Sequence, residues 1–238
     1  MTRITQTPSN ERLQWMALAV LSLGTVVATG LLSLSPSTPF QRYFGRINPL
    51  LAVSLVSALG VVSLRFLHSR GWFEIYTRRE SLRGLVLSAK VATLFAIVVI
   101  LVDLSIVFPH DLNVPPPRSL LFYPAMAYVA EISFHALPLS LLLVFLGPLL
   151  KKLNPNSLVW FCIILASFLE PIVQLGLGFS AKPLSGADVY VGLHVFAFNL
   201  LQLYVFRRYD FVSMYSFRLV YYILWHIVWG SVRLQLLF

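Results

Sequence analysis

Charge is what this chain has least of. Only 11% of its 238 residues are Asp, Glu, Lys or Arg, against roughly 25% in a soluble domain. Acids are scarcest, with 9 Asp+Glu facing 18 Lys+Arg. A chain so poor in charge cannot coat a globule in water, which excludes an ordinary soluble enzyme. Cysteine is nearly absent as well. Cys162 stands alone inside an apolar run, so neither an intrachain disulfide nor a cysteine-based metal site is open to the chain. There is no phosphate-binding Gly loop, no His-Glu-x-x-His helix and no Gly-x-Ser-x-Gly elbow. Ser133 and Ser167 lack the flanking pattern of an intramembrane serine protease. The formal charge of +9 has no folded nucleic-acid module behind it, and no nucleic-acid partner is expected.

What fills the space is apolar. Hydrophobic side chains make up 58% of the chain, and the mean hydropathy is +0.80. Seven runs approach the ~20 residues that a spanning helix needs: 13–35, 47–68, 84–108, 119–150, 157–179, 187–206 and 212–237. The expected fold is all-α, a multi-pass transmembrane bundle of about seven spans. It forms a single integral membrane domain over 1–238, with a three-helix N-terminal part (1–118) and a core (119–238). The first run, Leu13 to Leu34, is too long for a signal-peptide core and reads as a retained helix. Turn-forming stretches separate the runs: Ser35-Pro36-Ser37, Ser69-Arg70-Gly71, Pro115-Pro116-Pro117, Asn154-Pro155-Asn156, Pro183 to Gly186 and Arg207-Arg208. The fourth run carries Pro124, Pro138 and Pro148, each lacking a backbone donor, which predicts a kink or break there.

The basic residues set an orientation. With seven spans, Arg3, Arg12, Arg65, Arg70, Arg78, Arg79, Arg83, Lys151, Lys152, Arg207 and Arg208 fall on one side. Arg42, Arg46, Arg118, Lys182 and Arg233 fall on the other. The positive-inside rule then places the N-terminus in the cytoplasm, in a cell (inner) membrane, with the basic loops meeting lipid headgroups. The segment Gly71–Gly84, with Trp72, Phe73, Tyr76 and several Arg, suits an amphipathic helix on the inner leaflet or a plain charged loop.

An ionisable side chain in hydrocarbon costs on the order of 2.5–3.5 kcal/mol on insertion scales, so those present should face a cavity or a partner. They are Lys90, Asp103, Glu131, His135, Glu170, His194, Arg218 and His226. The Glu and His members all sit on the last four spans. Glu131 and His135, four apart, share a helix face. From a rise of ~1.5 Å per residue, His226 lies about 21 Å and Glu170 about 20 Å from the cytoplasmic starts of their spans. His194 lies about 10 Å, and Glu131 about 18 Å, from the outer ends of theirs. These levels allow Glu131, His135, Glu170, His194 and His226 to converge on one wet hollow. Arg218 is expected to snorkel to the inner interface, and Asn199 and Gln174 to act as interhelical hydrogen-bonding glue. Lys90 and Asp103 are given no site role.

Two Glu and three His in one pocket suit two chemistries. A carboxylate with neutral imidazoles binds a divalent metal such as zinc, and the candidate ligands are Glu131, His135, His194 and His226. Alternatively a buried carboxylate activates water as general base, with imidazoles stabilising an oxyanion. Both are hydrolysis within the membrane. A proton relay in a transporter is a third use.

The residues also resemble a family. The stretch Ala130-Glu131-Ile132-Ser133-Phe134-His135-Ala136 looks like the Glu-Glu-x-x-x-Arg helix of the CPBP family, the prenyl-CAAX protease and bacteriocin-processing (Abi) intramembrane proteases. Tyr190 to His194 is similar to its Phe-x-x-x-His motif, and Tyr221 to Gly230, through His226, resembles its His-x-x-x-Asn motif. The resemblance covers about residues 119–237. It implies a membrane-embedded cavity in which a glutamate activates water and His orients it, acting on a peptide or membrane-protein substrate. The departures are Ala130 for the first Glu, His135 for the Arg, Tyr190 for the Phe and Gly230 for the Asn. The expected function is therefore a CPBP-like endopeptidase with Glu131 or Glu170 as base. The alternatives are an inactive scaffold or binding protein of the same fold and, further off, a proton-coupled transporter. The sequence leaves the oligomeric state open.

Overall fold

The computed structural model describes residues 8–34, 39–78, 80–176 and 185–238. Seven long apolar helices make this a multi-pass helical membrane bundle: α1 (Pro8–Ser33), α2 (Pro49–Ser69), α3 (Ser81–Ile106), α4 (Ser119–Leu149), α5 (Pro155–Gln174), α6 (Gly186–Arg208) and α7 (Phe211–Leu236). No strand occurs among the described residues. The fifth run stops at Gln174, short of the expected 179. The breaks at Ser35-Pro36-Ser37 and Pro183, together with Arg3, Arg79 and Lys182, lie outside the described residues.

The loop signals act as helix caps. Asn48 accepts from the backbone N–H of Leu50 at 2.9 Å and of Leu51 at 3.3 Å, with Pro49 opening α2. Asn154 and Pro155 do the same for α5. Ser185 and Asp188 form a reciprocal capping box at α6, and Asp210 caps α7 by accepting from Ser213 N at 2.7 Å.

In α4 the interruption falls at one of the three prolines. The helix continues through Pro124 and Pro148. It widens to an i→i+5 turn over Glu131–Ala136, immediately before Pro138. Pro138 offers no N–H and crowds the carbonyl four residues earlier, which accounts for the altered ladder. A second such turn, Ile223–Trp229, lies in α7 without a proline.

Helix α4 is the centre of the bundle. Half of its apolar window (50%) is buried, against 22% for α3. It is flanked by α1, α2, α5 and α7. Without a hydrophobic force between helices in lipid, close approach depends on small residues. Buried Ser81, Gly84, Ser88, Ala92 and Ala96 supply them on α3, where α7 packs. A Cβ on Gly84 would come within 3.0 Å of Tyr209 Cβ. On α2, a Cβ on Gly60 would lie 2.8 Å from the Ile132 side chain, next to the widened turn of α4.

The described residues 71–78 form neither a helix on the leaflet nor a solvated loop. The segment is irregular and packs against the bundle, with Phe73 and Ile75 buried at 2% and 1% exposure. Its backbone is held by Phe211 N donating to Glu74 O (3.0 Å), Val212 N to Ile75 O (3.2 Å) and Ile75 N to Gln14 Oε1 (3.0 Å). These bonds satisfy backbone groups that would otherwise be orphaned inside the protein.

Candidate functional site

The site is built around Arg218 on α7. It does not snorkel; it is 2% exposed. A buried guanidinium has five N–H donors to satisfy without water, and the last four spans supply the acceptors. Its Nε donates to Glu131 Oε1 of α4 at 2.7 Å. Nη1 and Nη2 donate to the two carboxylate oxygens of Glu170 on α5, at 2.9 and 2.7 Å, the planar fork that arginine forms with carboxylates. Nη2 also reaches Gln202 Oε1 (3.0 Å) and Asn199 Oδ1 (3.3 Å), three residues apart on one face of α6. One turn further along α7, Tyr222 Oη accepts from Nη1 at 3.4 Å. The cation lies 5.4 Å from the Phe198 ring centroid and 5.9 Å from that of Tyr222, close enough for cation–π attraction.

The acids are equally engaged. Glu131, 0% exposed, accepts from Arg218 and from Gln202 Nε2 on Oε1, and from His135 Nδ1 on Oε2 at 2.6 Å. Glu170 follows the break at Phe168 that divides α5. Its carboxylate goes to Arg218 and to Gln174 Nε2 (3.0 Å). His135 is buried, and its Nε2 has no hydrogen-bond partner among the described residues. With a carboxylate at Nδ1, the neutral ring carries its proton there and leaves a lone pair on Nε2, a tautomer inferred from the network.

The five side chains expected to share one hollow do not all meet, and the three that do pack around a buried guanidinium and its carboxylate partners. Glu131, His135 and Glu170 gather around Arg218; His194 and His226 do not join them. His194 Nδ1 lies 3.1 Å from Tyr190 Oη and its Nε2 lies 3.3 Å from Tyr221 Oη, with Phe95 edge-on at 5.0 Å. His226 donates from Nδ1 to Asn113 Oδ1 at 2.7 Å and stacks on Tyr123, centroids 4.6 Å apart and planes 10° from parallel. Adjacent tyrosines link these settings to the centre. Tyr221 bonds His194, while Tyr222 bonds Arg218 and lies 5.0 Å from the His226 ring.

The donor set does not fit zinc. Among the described residues no three His, Cys, Asp or Glu side chains group as a metal site requires. Glu131 and Glu170 are bridged by a guanidinium whose charge opposes a divalent ion, and all four carboxylate oxygens already accept N–H bonds.

Arg218 and Gln202 are the members that the sequence reading misses. The signal was available in the rule that buried charges are paired. Two intramembrane glutamates demand a cation, and Lys90 and Arg218 were the candidates. A second buried pair joins Asp103, expected to have no site role, and Arg233, expected only to count toward the charge of the outer side. Arg233, 0% exposed, donates from Nε and Nη2 to the two oxygens of Asp103 at 2.7 and 2.8 Å. Trp229 Nε1 and Phe108 N complete the carboxylate, and the carbonyls of Phe108 and Pro109 complete the guanidinium.

Fold and site together define a seven-span helical membrane protein whose last four spans meet at a buried Glu–Arg–Glu cluster. No protein-family model, curated protein or solved structure matches the chain.

Proposed function

We propose that the protein is a membrane-embedded binding or scaffold protein of the CPBP-like type, in which the polar centre locks the bundle instead of hydrolysing a substrate. The observation that carries this reading is Arg218 spanning Glu131 and Glu170. A glutamate that activates water needs a free oxygen within hydrogen-bond reach of it. Here both oxygens of each acid are committed to fixed donors: Arg218 of α7 takes three of the four and His135, on the same helix as Glu131, takes the fourth. The departure at Ala130, where the resembled motif has its first Glu, supports the same reading. Its partners are then membrane lipids and a peptide or membrane protein that is bound and not cut. The basic loops support a cell membrane location with a cytoplasmic N-terminus.

One observation favours hydrolysis as a second reading. The Glu131 carboxylate sits on His135 Nδ1 and leaves Nε2 buried and unpartnered, as in a general base oriented by an acid. The pair lies in an i→i+5 turn, a feature frequent at functional sites. Purified protein in liposomes, incubated with prenylated and unmodified transmembrane peptides, separates the two. The scaffold reading expects no cleavage by wild type or by Glu131→Gln. Turnover by wild type that is lost in Glu131→Gln and His135→Gln, with both variants folded, would replace it with the hydrolase.

A further inference from the structure

At the basic end of the bundle a groove of about 360 Å³ opens between the end of α2, the end of α4 and the start of α5. That volume lies within the range of small-molecule pockets, about 300–1,000 Å³. Its chemistry is divided along its length. The apolar wall carries Leu143 and Leu158, both buried, and Val144, which is 45% exposed. The end beyond the helices carries Arg70 and Lys151, both exposed. The Arg70 guanidinium is seated 5.3 Å over the Phe66 ring, which also lines the groove. Among the described residues neither cation is paired with an acid, whereas Arg83 at the same end lies 3.8 Å from Glu80. Trp72 also lines the groove, and an indole favours the headgroup level. Gly147 forms part of the wall, and a Cβ added there meets nothing within 4 Å.

Two unpaired cations above an apolar trough match one molecule that a bilayer supplies, because basic pockets between helix ends take anionic headgroups. We infer that this groove binds one anionic phospholipid, its phosphate held by Arg70 and Lys151 and an acyl chain lying against Val144, Gly147 and Leu158. The inference holds whether the Arg218 centre is a lock or a hydrolase, since no residue is shared between them.

Native mass spectrometry of the full chain released from detergent tests it, with phosphatidylglycerol and phosphatidylcholine of equal chain length as probes. Wild type should retain one phosphatidylglycerol in preference to phosphatidylcholine. At about fivefold per cation near a membrane surface, Arg70→Gln with Lys151→Gln should weaken retention about 25-fold. Gly147→Leu keeps both charges but fills the trough, and should weaken it as well; Leu is the better helix former, so the fold is retained. Arg83→Gln, a cation outside the groove, should bind within twofold of wild type. Equal retention of the two lipids, or unchanged binding by both the double variant and Gly147→Leu, would overturn the inference. So would release of the lipid by millimolar inorganic phosphate, which would mark an anion site with no place for a chain.

Discussion

Two arginines are buried in α7, and they are satisfied in different ways. Arg233 meets one carboxylate, Asp103, in a one-to-one pair whose remaining polar atoms are taken by Trp229 and by the backbone of Phe108 and Pro109. It fastens the end of α3 to the end of α7. Arg218 meets two carboxylates on two other helices and draws in the amides of Asn199 and Gln202. Beside it, His135 keeps an unpartnered nitrogen. The first is a closed rivet. The second is a hub with one cation serving two acids, so its loss leaves more charge stranded and its chemistry is less fully used.

That difference orders the expected effects of mutation. Removing one partner of a buried pair costs about 3–5 kcal/mol, because the other charge is left uncompensated. Arg218→Met strands Glu131 and Glu170 together, and should reach or exceed the upper figure of about 5 kcal/mol, seen as loss of folded protein or a large fall in melting temperature in detergent. Arg233→Met strands Asp103 alone, which keeps the Trp229 and Phe108 donors, and should cost about 3 kcal/mol by the same measurement. The second-site variants sharpen the contrast. Asp103→Asn should recover most of the Arg233→Met loss, whereas Glu131→Gln should recover only part of the Arg218→Met loss because Glu170 remains.

Smaller effects probe the hub's surroundings. Gly60→Ala pushes a methyl to 2.8 Å from Ile132 and should cost about 1–3 kcal/mol by overpacking. A neutral result there would show that α2 does not hold the widened turn of α4 in place. His135→Gln should cost about 1 kcal/mol, the worth of one hydrogen bond, since Glu131 keeps Arg218 and Gln202. Both are read from denaturation in mixed micelles.

The spans are legible in the sequence because apolar run length maps directly onto bilayer thickness. Caps such as Asn48-Pro49 and Asn154-Pro155 mark the starts of α2 and α5. The Glu131–His135 bond is legible too, since four residues bring two side chains onto one face. Convergence of His194 and His226 on the same hollow is not. A rise of ~1.5 Å per residue gives depth, but direction around the helix is set by packing, and these rings turn towards Tyr190 and Asn113. Arg218 is hidden for the same reason: near a helix end a long side chain can reach water or turn inward, and the two acids decide which. Phe73 and Ile75 are illegible in another way, because aromatic and aliphatic side chains beside arginines suit a leaflet surface as well as a protein core.

The contact on which the bundle's polar centre most depends is Arg218 holding Glu131 and Glu170 together. Unfolding of Arg218→Met and of the triple variant Glu131→Gln, Glu170→Gln, Arg218→Met, followed side by side in the same detergent, tests this directly. A severe loss is expected for the single variant, with recovery by the triple to within about 2 kcal/mol of wild type, since replacing a whole buried ionic group is often neutral. A single variant as stable as wild type would contradict that dependence.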